Sequence, residues 1–418
     1  MITKDNLRQI VSKQKDQKLK IDRLVRRDIL DEILNSFKDN RVLILTGLRR
    51  SGKSTLLREI MEQKKDYCYI NFEDEKFLDF KAQDFEMLNE ALIEIYGSPK
   101  IYFFDEIQNI DKFETFVRRL QDEGKKVIIT GSNASLLSKE FGTRLTGRYK
   151  TFEIYPFSFK EFIEFNKIKL ENDSFYIPES KVALIKIFGE YLAKGGLPEY
   201  LKNNDFDYVR TVFENILYKD IISRYSIKRQ KPLKELINIL ATNISSQFTY
   251  NSLKNSIGVS NAITVKEYVS YLNNAYLFFE LLRFDFSIKK QLNYPKKIYL
   301  IDQIFNRFGG LNFSENKGKI LENVVFIELK RKNKEIYYFF IKNECDFVIK
   351  DRNKITEAIQ VCYELNKENK EREIKGLVEA MDKFKLKEGL ILTSENEDEI
   401  IVENKKIIVK PIWKWLLQ

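Results

Sequence analysis

VLILTGLRRSGKSTLLREIM, residues 42–61, decides the fold. Five residues that favour a buried strand run into Gly47, and the spacing Gly47, Gly52, Lys53, Ser54 fits G-x-x-x-x-G-K-[ST]. The apolar pattern after Ser54 is that of a helix. A strand, a glycine-rich loop and a helix start in this order build an anion cradle. The glycines let backbone N–H groups turn inward on phosphates, and the helix dipole adds favourable potential. In this loop Lys53 is placed for the β- and γ-phosphates and Ser54 for a magnesium ion. Arg50, Ser51 and Thr55 complete the loop. The ligands this segment calls for are ATP and Mg2+.

Further strand-like runs flank it: 67–72 (YCYINF), 101–104 (IYFF) and 127–130 (VIIT), with helical stretches between. This alternation predicts an α/β fold with a parallel sheet covered by helices on both faces. A helix is also predicted over 23–37, from the spacing of Leu24, Ile29, Ile33, Leu34 and Phe37. The run 101–104 ends in Asp105-Glu106. A carboxylate at a strand end suits the magnesium shell, so Asp105 takes that role, and Glu106 suits the base that activates water. The run 127–130 ends in Thr130-Gly131-Ser132-Asn133, which would flank the γ-phosphate if that strand lies beside the first. Two arginines follow, Arg144 and Arg148, either of which could steady the transferring phosphoryl group, in trans from a neighbouring subunit.

Composition narrows the class. The 418 residues carry 72 Lys or Arg against 62 Asp or Glu, a net charge of +10, and no histidine. Histidine-based hydrolysis and histidine-ligated metals are therefore excluded. The three cysteines, Cys68, Cys345 and Cys362, are too scattered for a disulfide framework. No apolar run is long enough to span a membrane, and the first twenty residues do not read as a signal peptide, so the expected compartment is the cytoplasm.

The ordered set GLRRSGKS, INFED, YFFDEIQN, ITGSNASLL, LTGRYKTFEIYPFSFKEF and KGGLPEYL resembles the AAA-type P-loop ATPases of the ASCE class found in archaea and bacteria. The resemblance implies four parts: an ATPase core over 1–156, a helical lid over 157–225, a winged helix over 226–297 and a C-terminal α/β nuclease-like domain over 298–418. It further implies Asn133 as the sensor of the γ-phosphate and Arg148, ahead of Arg144, as the arginine finger. Assembly into a homo-oligomer, of which a hexameric ring is one form, is the corollary.

The segment 226–297 contains eleven Lys or Arg and four Asp or Glu, an excess of seven, on a helix–turn–helix–hairpin pattern. That is the electrostatic footprint of a DNA-binding module. Residues 260–274 read as a recognition helix that Ser260 can cap, offering Asn261, Thr264 and Lys266 to the groove or phosphates. Lys289, Lys290, Lys296 and Lys297 flank it, and 276–287 (YLFFELLRFDFS) reads as two short strands. From residue 298 the tail resembles a PD-(D/E)xK nuclease-like fold, with Glu322, Asp346 and the triplet Gln360-Val361-Cys362 at the expected stations. Cys362 stands where the lysine belongs, so this domain is expected to be inactive as a nuclease while able to bind DNA or a protein partner. Two readings of the whole follow: ATP hydrolysis coupled to binding or remodelling of duplex or branched DNA, or an ATP-dependent signalling switch that recruits a protein. An ATP-gated nuclease is the third.

Overall fold

The computed structural model describes residues 2–16, 25–133, 147–169, 175, 177–309 and 317–418, which divide into two compact units, Met1–Tyr155 and Pro156–Gln418. The first is built on strands β1 (Val42–Gly47), β2 (Tyr67–Asn71), β3 (Ile101–Asp105), β4 (Lys126–Gly131) and β5 (Tyr149–Ile154). They form a parallel sheet in the order β2-β3-β4-β1-β5. β5, next to β1, was not read from the sequence because YKTFEI mixes polar with apolar residues.

Alternation along each strand divides the core in two. Val42, Ile44, Tyr102, Phe104, Val127 and Ile129 face helices α1 (Lys4–Asp16), α4 (Phe85–Tyr96) and α5 (Phe113–Asp122). Leu43, Leu45, Phe103 and Ile128 face α2 (Leu30–Asn35) and α3 (Lys53–Glu62). α1 lies outside the helices expected from the sequence, although Leu7, Ile10 and Val11 carry a helical apolar spacing and are all buried. The helix predicted over 23–37 is corrected to the shorter α2. Among the described residues it starts only where Leu30 and Ile33 can bury, because Arg27 just before it turns away to reach the glycine-rich loop.

The second unit opens with helices α6 (Phe159–Phe165), α7 (Pro178–Lys194), α8 (Pro198–Asn203) and α9 (Phe206–Asn215), the last continued by a π-helical turn, Ile216–Ser223. Then come α10 (Gln230–Thr242), β6 (Gln247–Phe248), α11 (Tyr250–Ser256), α12 (Ala262–Asn274), β7 (Phe278–Leu281), α13 (Ile288–Asn293) and β8 (Lys296–Leu300), whose strands form a small antiparallel sheet ordered β6-β8-β7. The cap of α12 is Asn261, whose side chain accepts from the Ile263 N–H at 2.9 Å, not Ser260. The two strands expected over 276–287 reduce to one. Past Leu281 the chain leaves the small sheet, with Arg283 stacked 4.0 Å over the Tyr294 ring and the Phe284 N–H bonded to Tyr338 O. The partner of β7 is β8, a strand that runs through the 297/298 boundary drawn from the sequence.

The remainder comprises α14 (Lys317–Arg331), β9 (Glu335–Phe340), β10 (Glu344–Asp351), β11 (Lys354–Val361), α15 (Lys370–Phe384), β12 (Glu388–Thr393), β13 (Asp398–Val402), β14 (Lys405–Pro411) and α16 (Ile412–Trp415). Its mixed sheet is ordered β13-β14-β12-β11-β10-β9. Gly376 of α15 passes so close to β10 that a Cβ there would lie 2.0 Å from Glu344 O. This contact and a break in the β9–β10 register between Cys345 and Val348 set where Glu344 and Asp346 point.

Candidate functional site

β1 ends in the glycine-rich loop. Gly47 has φ 148°, and a Cβ there would lie 2.2 Å from Ile154 O, so only glycine fits where the loop leaves the sheet beside β5. Gly52 takes the left-handed conformation at the start of α3, and Ser51 and Lys53 are buried while Arg50 and Thr55 are not. The Lys53 ammonium donates to Gly47 O (3.1 Å) and Leu48 O (2.9 Å) and lies 4.0 Å from Glu106. It rests on the backbone of its own loop. Arg27, which sequence reasoning passed over, is buried and braces that loop, donating to Ser51 O (2.9 Å) and Tyr155 O (2.5 Å).

Because β4 lies between β1 and β3, the three strand ends meet. Asp105 is buried at the end of β3 and accepts from Tyr69 Oη (3.2 Å) and from Thr130 Oγ1. Burial pushes its carboxyl above the usual range, against the pull of hydrogen bonds from Thr130 and Ser54. Ser54 and Asp105 are thus brought together, a hydroxyl and a carboxylate of the hard-oxygen type that Mg2+ takes. Glu106 follows with left-handed backbone (φ 51°), its N–H fixed to Thr130 Oγ1 at 2.9 Å. Asn133, at the end of β4, is fully buried, and its carbonyl accepts from Thr46 Oγ1 at 3.4 Å. Tyr69, Gln108 and Ser132 also belong to this polar group. Ser132 lies in the Thr130–Asn133 segment expected to flank the γ-phosphate, whereas Tyr69 and Gln108 carry no role in the sequence reading, since nothing in it pairs 69 with 105 or 108 with 132 before the sheet order is known.

The arginines are placed differently. Arg148 directly precedes β5, whose Tyr149 pairs with Val42 at the start of β1, so it stands at the end of the sheet away from Gly47, roughly 17 Å along the strand. It pairs there with Asp122 at 2.8 Å on the surface. Arg144 lies outside the described residues.

A parallel sheet in this order, with a phosphate loop after β1 and paired acidic residues after β3, defines a P-loop ATPase of the AAA type, and the protein is an enzyme of that class. A family profile described as an AAA domain matches residues 39–163, and one described as a domain of unknown function (DUF8612) matches residues 185–305. The chain is 36% identical over 416 residues to the uncharacterized protein MJ1544 of Methanocaldococcus jannaschii, covering 94% of this chain and 91% of that one. It is 30% identical over 414 residues to an uncharacterized protein of Haemophilus influenzae, covering 94% and 98%. The chain belongs to the family these two proteins represent. Among solved structures, the Walker-type ATPase PABY2304 of Pyrococcus abyssi aligns with TM-score 0.45 and 17% identity, over 69% of this chain and 96% of that one.

In the second unit, Asn261, the cap of α12, Lys266 of α12 and Lys289 and Lys290 of α13 are exposed, and Thr264 is half-buried. Lys296 and Lys297 depart from the sequence reading. Both are buried on β8, the central strand of its sheet, and as neighbours they point to opposite faces: Lys296 donates to Leu292 O (2.9 Å) and Tyr294 O (3.1 Å), while Lys297 meets carboxylates. The Lys297 ammonium lies 2.8 Å from Glu322, 2.7 Å from Glu344 and 2.8 Å from Asp346. Burial works against its charge, but Asp346 and Glu322 outweigh that and hold it protonated. Tyr299 Oη donates to Glu322 at 2.6 Å, and the Val361 N–H donates to Asp346 at 3.0 Å. Burial, followed by the Asp346 charge, pushes Glu322 up to about 8. The cluster borders a cleft of about 620 Å³ lined also by Gln360, Cys362 and Arg372. A lysine does reach these carboxylates, but from β8 and not from position 362. No helix among the described residues is long and apolar enough to cross a membrane.

Proposed function

We propose that the protein couples ATP hydrolysis to binding or remodelling of DNA, as an oligomer. In the nucleotide site, Lys53 exchanges its backbone partners for the β- and γ-phosphates, and Ser54 and Asp105 hold Mg2+, which when bound offsets phosphate charge. Glu106 accepts a proton from the attacking water, and Asn133 contacts the γ-phosphate side. Arg148, at the far end of the sheet from its own loop, serves as the arginine finger in trans, and Arg144 is its alternate.

The observation that carries the DNA reading is the exposed basic set Lys266, Lys289 and Lys290. The element order around it (helix, short strand, two helices, strand, short helix, strand) supports a winged-helix reading with α12 as the groove-facing helix and α13, which carries Lys289 and Lys290, between the two strands. Duplex affinity should therefore fall steeply with salt, by a slope of about 0.9 per phosphate contact. Replacing the three lysines with alanine should flatten the slope for all sequences alike and leave basal ATPase activity intact. Duplex binding without salt dependence, or a triple variant with an unchanged slope, would count against this surface. A second reading, recruitment of a protein partner, is favoured by Phe286, Ile288 and Leu292, apolar side chains exposed around Lys289 and Lys290. Absence of any salt-sensitive DNA binding would make it the better account.

A further inference from the structure

A water that attacks phosphorus has two hydrogens, and Glu106 accounts for one. Gln108, on the 3-10 turn Ile107–Asn109, directs its side-chain amide N–H to the Glu106 carboxylate and stands 3.5 Å from Ser132 Oγ at the end of β4. An ionised carboxylate only accepts, so the amide edge facing Glu106 is the NH2, which turns Oε1 elsewhere. That Oε1 is shielded from solvent and has no hydrogen-bond partner among the described residues. Ser51 Oγ in the phosphate loop shares that condition. Orphaned buried acceptors are rare in folded proteins, and an active site awaiting a ligand is one place where they persist.

The turn is held firmly enough for the orphan to be positional. The Asn109 N–H bonds to Glu106 O at 3.2 Å, the Asn109 side chain donates to Phe72 O at 3.3 Å, and the Glu106 N–H is tied to Thr130. The side chain is therefore aimed from a tethered backbone, between the base and the end of the strand next to β1.

We propose that Gln108 is the second arm of a water clamp. Glu106 accepts one hydrogen of the attacking water and Gln108 Oε1 accepts the other, which aims the water's lone pair at the γ-phosphorus. As the oxygen–phosphorus bond forms, the bond from that phosphorus to the β–γ bridging oxygen breaks, and the bridging oxygen keeps the electron pair on ADP. The first hydrogen passes as a proton to Glu106 and on to solvent, and the second stays on the phosphate released. This role rests on the reading of Glu106 as the base.

Gln108→Met keeps the length of the side chain and removes the acceptor, and Gln108→Ala serves if the methionine does not fold. The expected result is a kcat lower by about 10- to 100-fold with ATPγS affinity unchanged, since the clamp acts only on the reacting water. Affinity for ADP with aluminium fluoride should fall by a similar factor. In a Glu106→Gln background the same substitution should cost less than about twofold more, because both residues act on one water. A wild-type kcat in both Gln108 variants, or a loss mirrored in ATPγS affinity, would overturn the clamp. Wild-type turnover in Glu106→Gln alone would instead remove the base assignment on which it stands.

Discussion

Lys53 and Lys297 are both buried lysines near acidic side chains, yet one rests on backbone carbonyls and the other is locked among carboxylates. Lys53 donates to Gly47 O and Leu48 O, with Glu106 4.0 Å away. Lys297 has three carboxylates within 2.8 Å. The first ammonium can exchange neutral partners for a phosphate at little cost, whereas the second would leave uncompensated charges behind. A buried lysine beside an acid is therefore a ligand-binding group or a structural one according to whether its contacts can be replaced.

The largest effects are expected in the nucleotide site. Lys53→Ala should abolish nucleotide binding, and Glu106→Gln should keep binding while lowering hydrolysis by about 10²–10⁴-fold. Equilibrium binding of a fluorescent ATP analogue and steady-state phosphate release separate the two. If Lys53→Ala binds nucleotide normally, the exchange of partners is wrong.

At Lys297 the expected loss is in stability, with ATP turnover by the first unit retained. Lys297→Met should lower the unfolding free energy of the second unit by about 3–5 kcal/mol, the usual cost of orphaning buried partners. Both tryptophans, Trp413 and Trp415, lie in that unit, so denaturant unfolding followed by their fluorescence reports it. A variant as stable as the parent would mean the cluster is not the structural clasp its geometry implies.

Asp302 sharpens the contrast as a buried carboxylate held by N–H donors. It accepts from the N–H groups of Gly196 (2.7 Å) and Ile304 (2.9 Å), and burial pushes it up to about 6 from 3.8. A raised folded value means that its stabilisation is complete below the unfolded value and is lost as pH rises through about 6. The loss amounts to about 3 kcal/mol for a shift of this size. Tryptophan-monitored unfolding between pH 4 and 7 should show this decline together with that of Glu322, and Asp302→Asn should make the slope shallower by the Asp302 share. An unchanged pH slope in that variant would assign the decline to another group.

The smallest effect is expected at the exposed pair Arg148–Asp122, where Arg148→Ala should change stability by only about 0–1 kcal/mol. Its value lies in mixing. If Arg148 acts in trans, Arg148→Ala and Lys53→Ala subunits combined should regain part of the ATPase activity each lacks. Assembled mixtures that stay inactive would leave Arg148 as a surface pair.

From the sequence come the glycine-rich loop and the acidic strand end of a P-loop ATPase. Gly47, Gly52, Lys53 and Ser54 are near neighbours in the chain, and their function depends on local backbone geometry between a strand and a helix, which short-range pattern specifies. The position of Asp105 and Glu106 at a strand end was legible for the same reason, since they close an apolar run. The tertiary structure decided what depends on which strands are neighbours. Only the order β3-β4-β1 brings Thr130 and Ser132 to Asp105, Glu106 and Gln108, and only the approach of α14 and β10 to β8 turns Lys297 from a surface cation into the centre of a carboxylate cluster. A lysine in a basic stretch reads the same whether its strand is exposed or central. Its fate is fixed by carboxylates 25 or more residues away in the chain, which no local periodicity records.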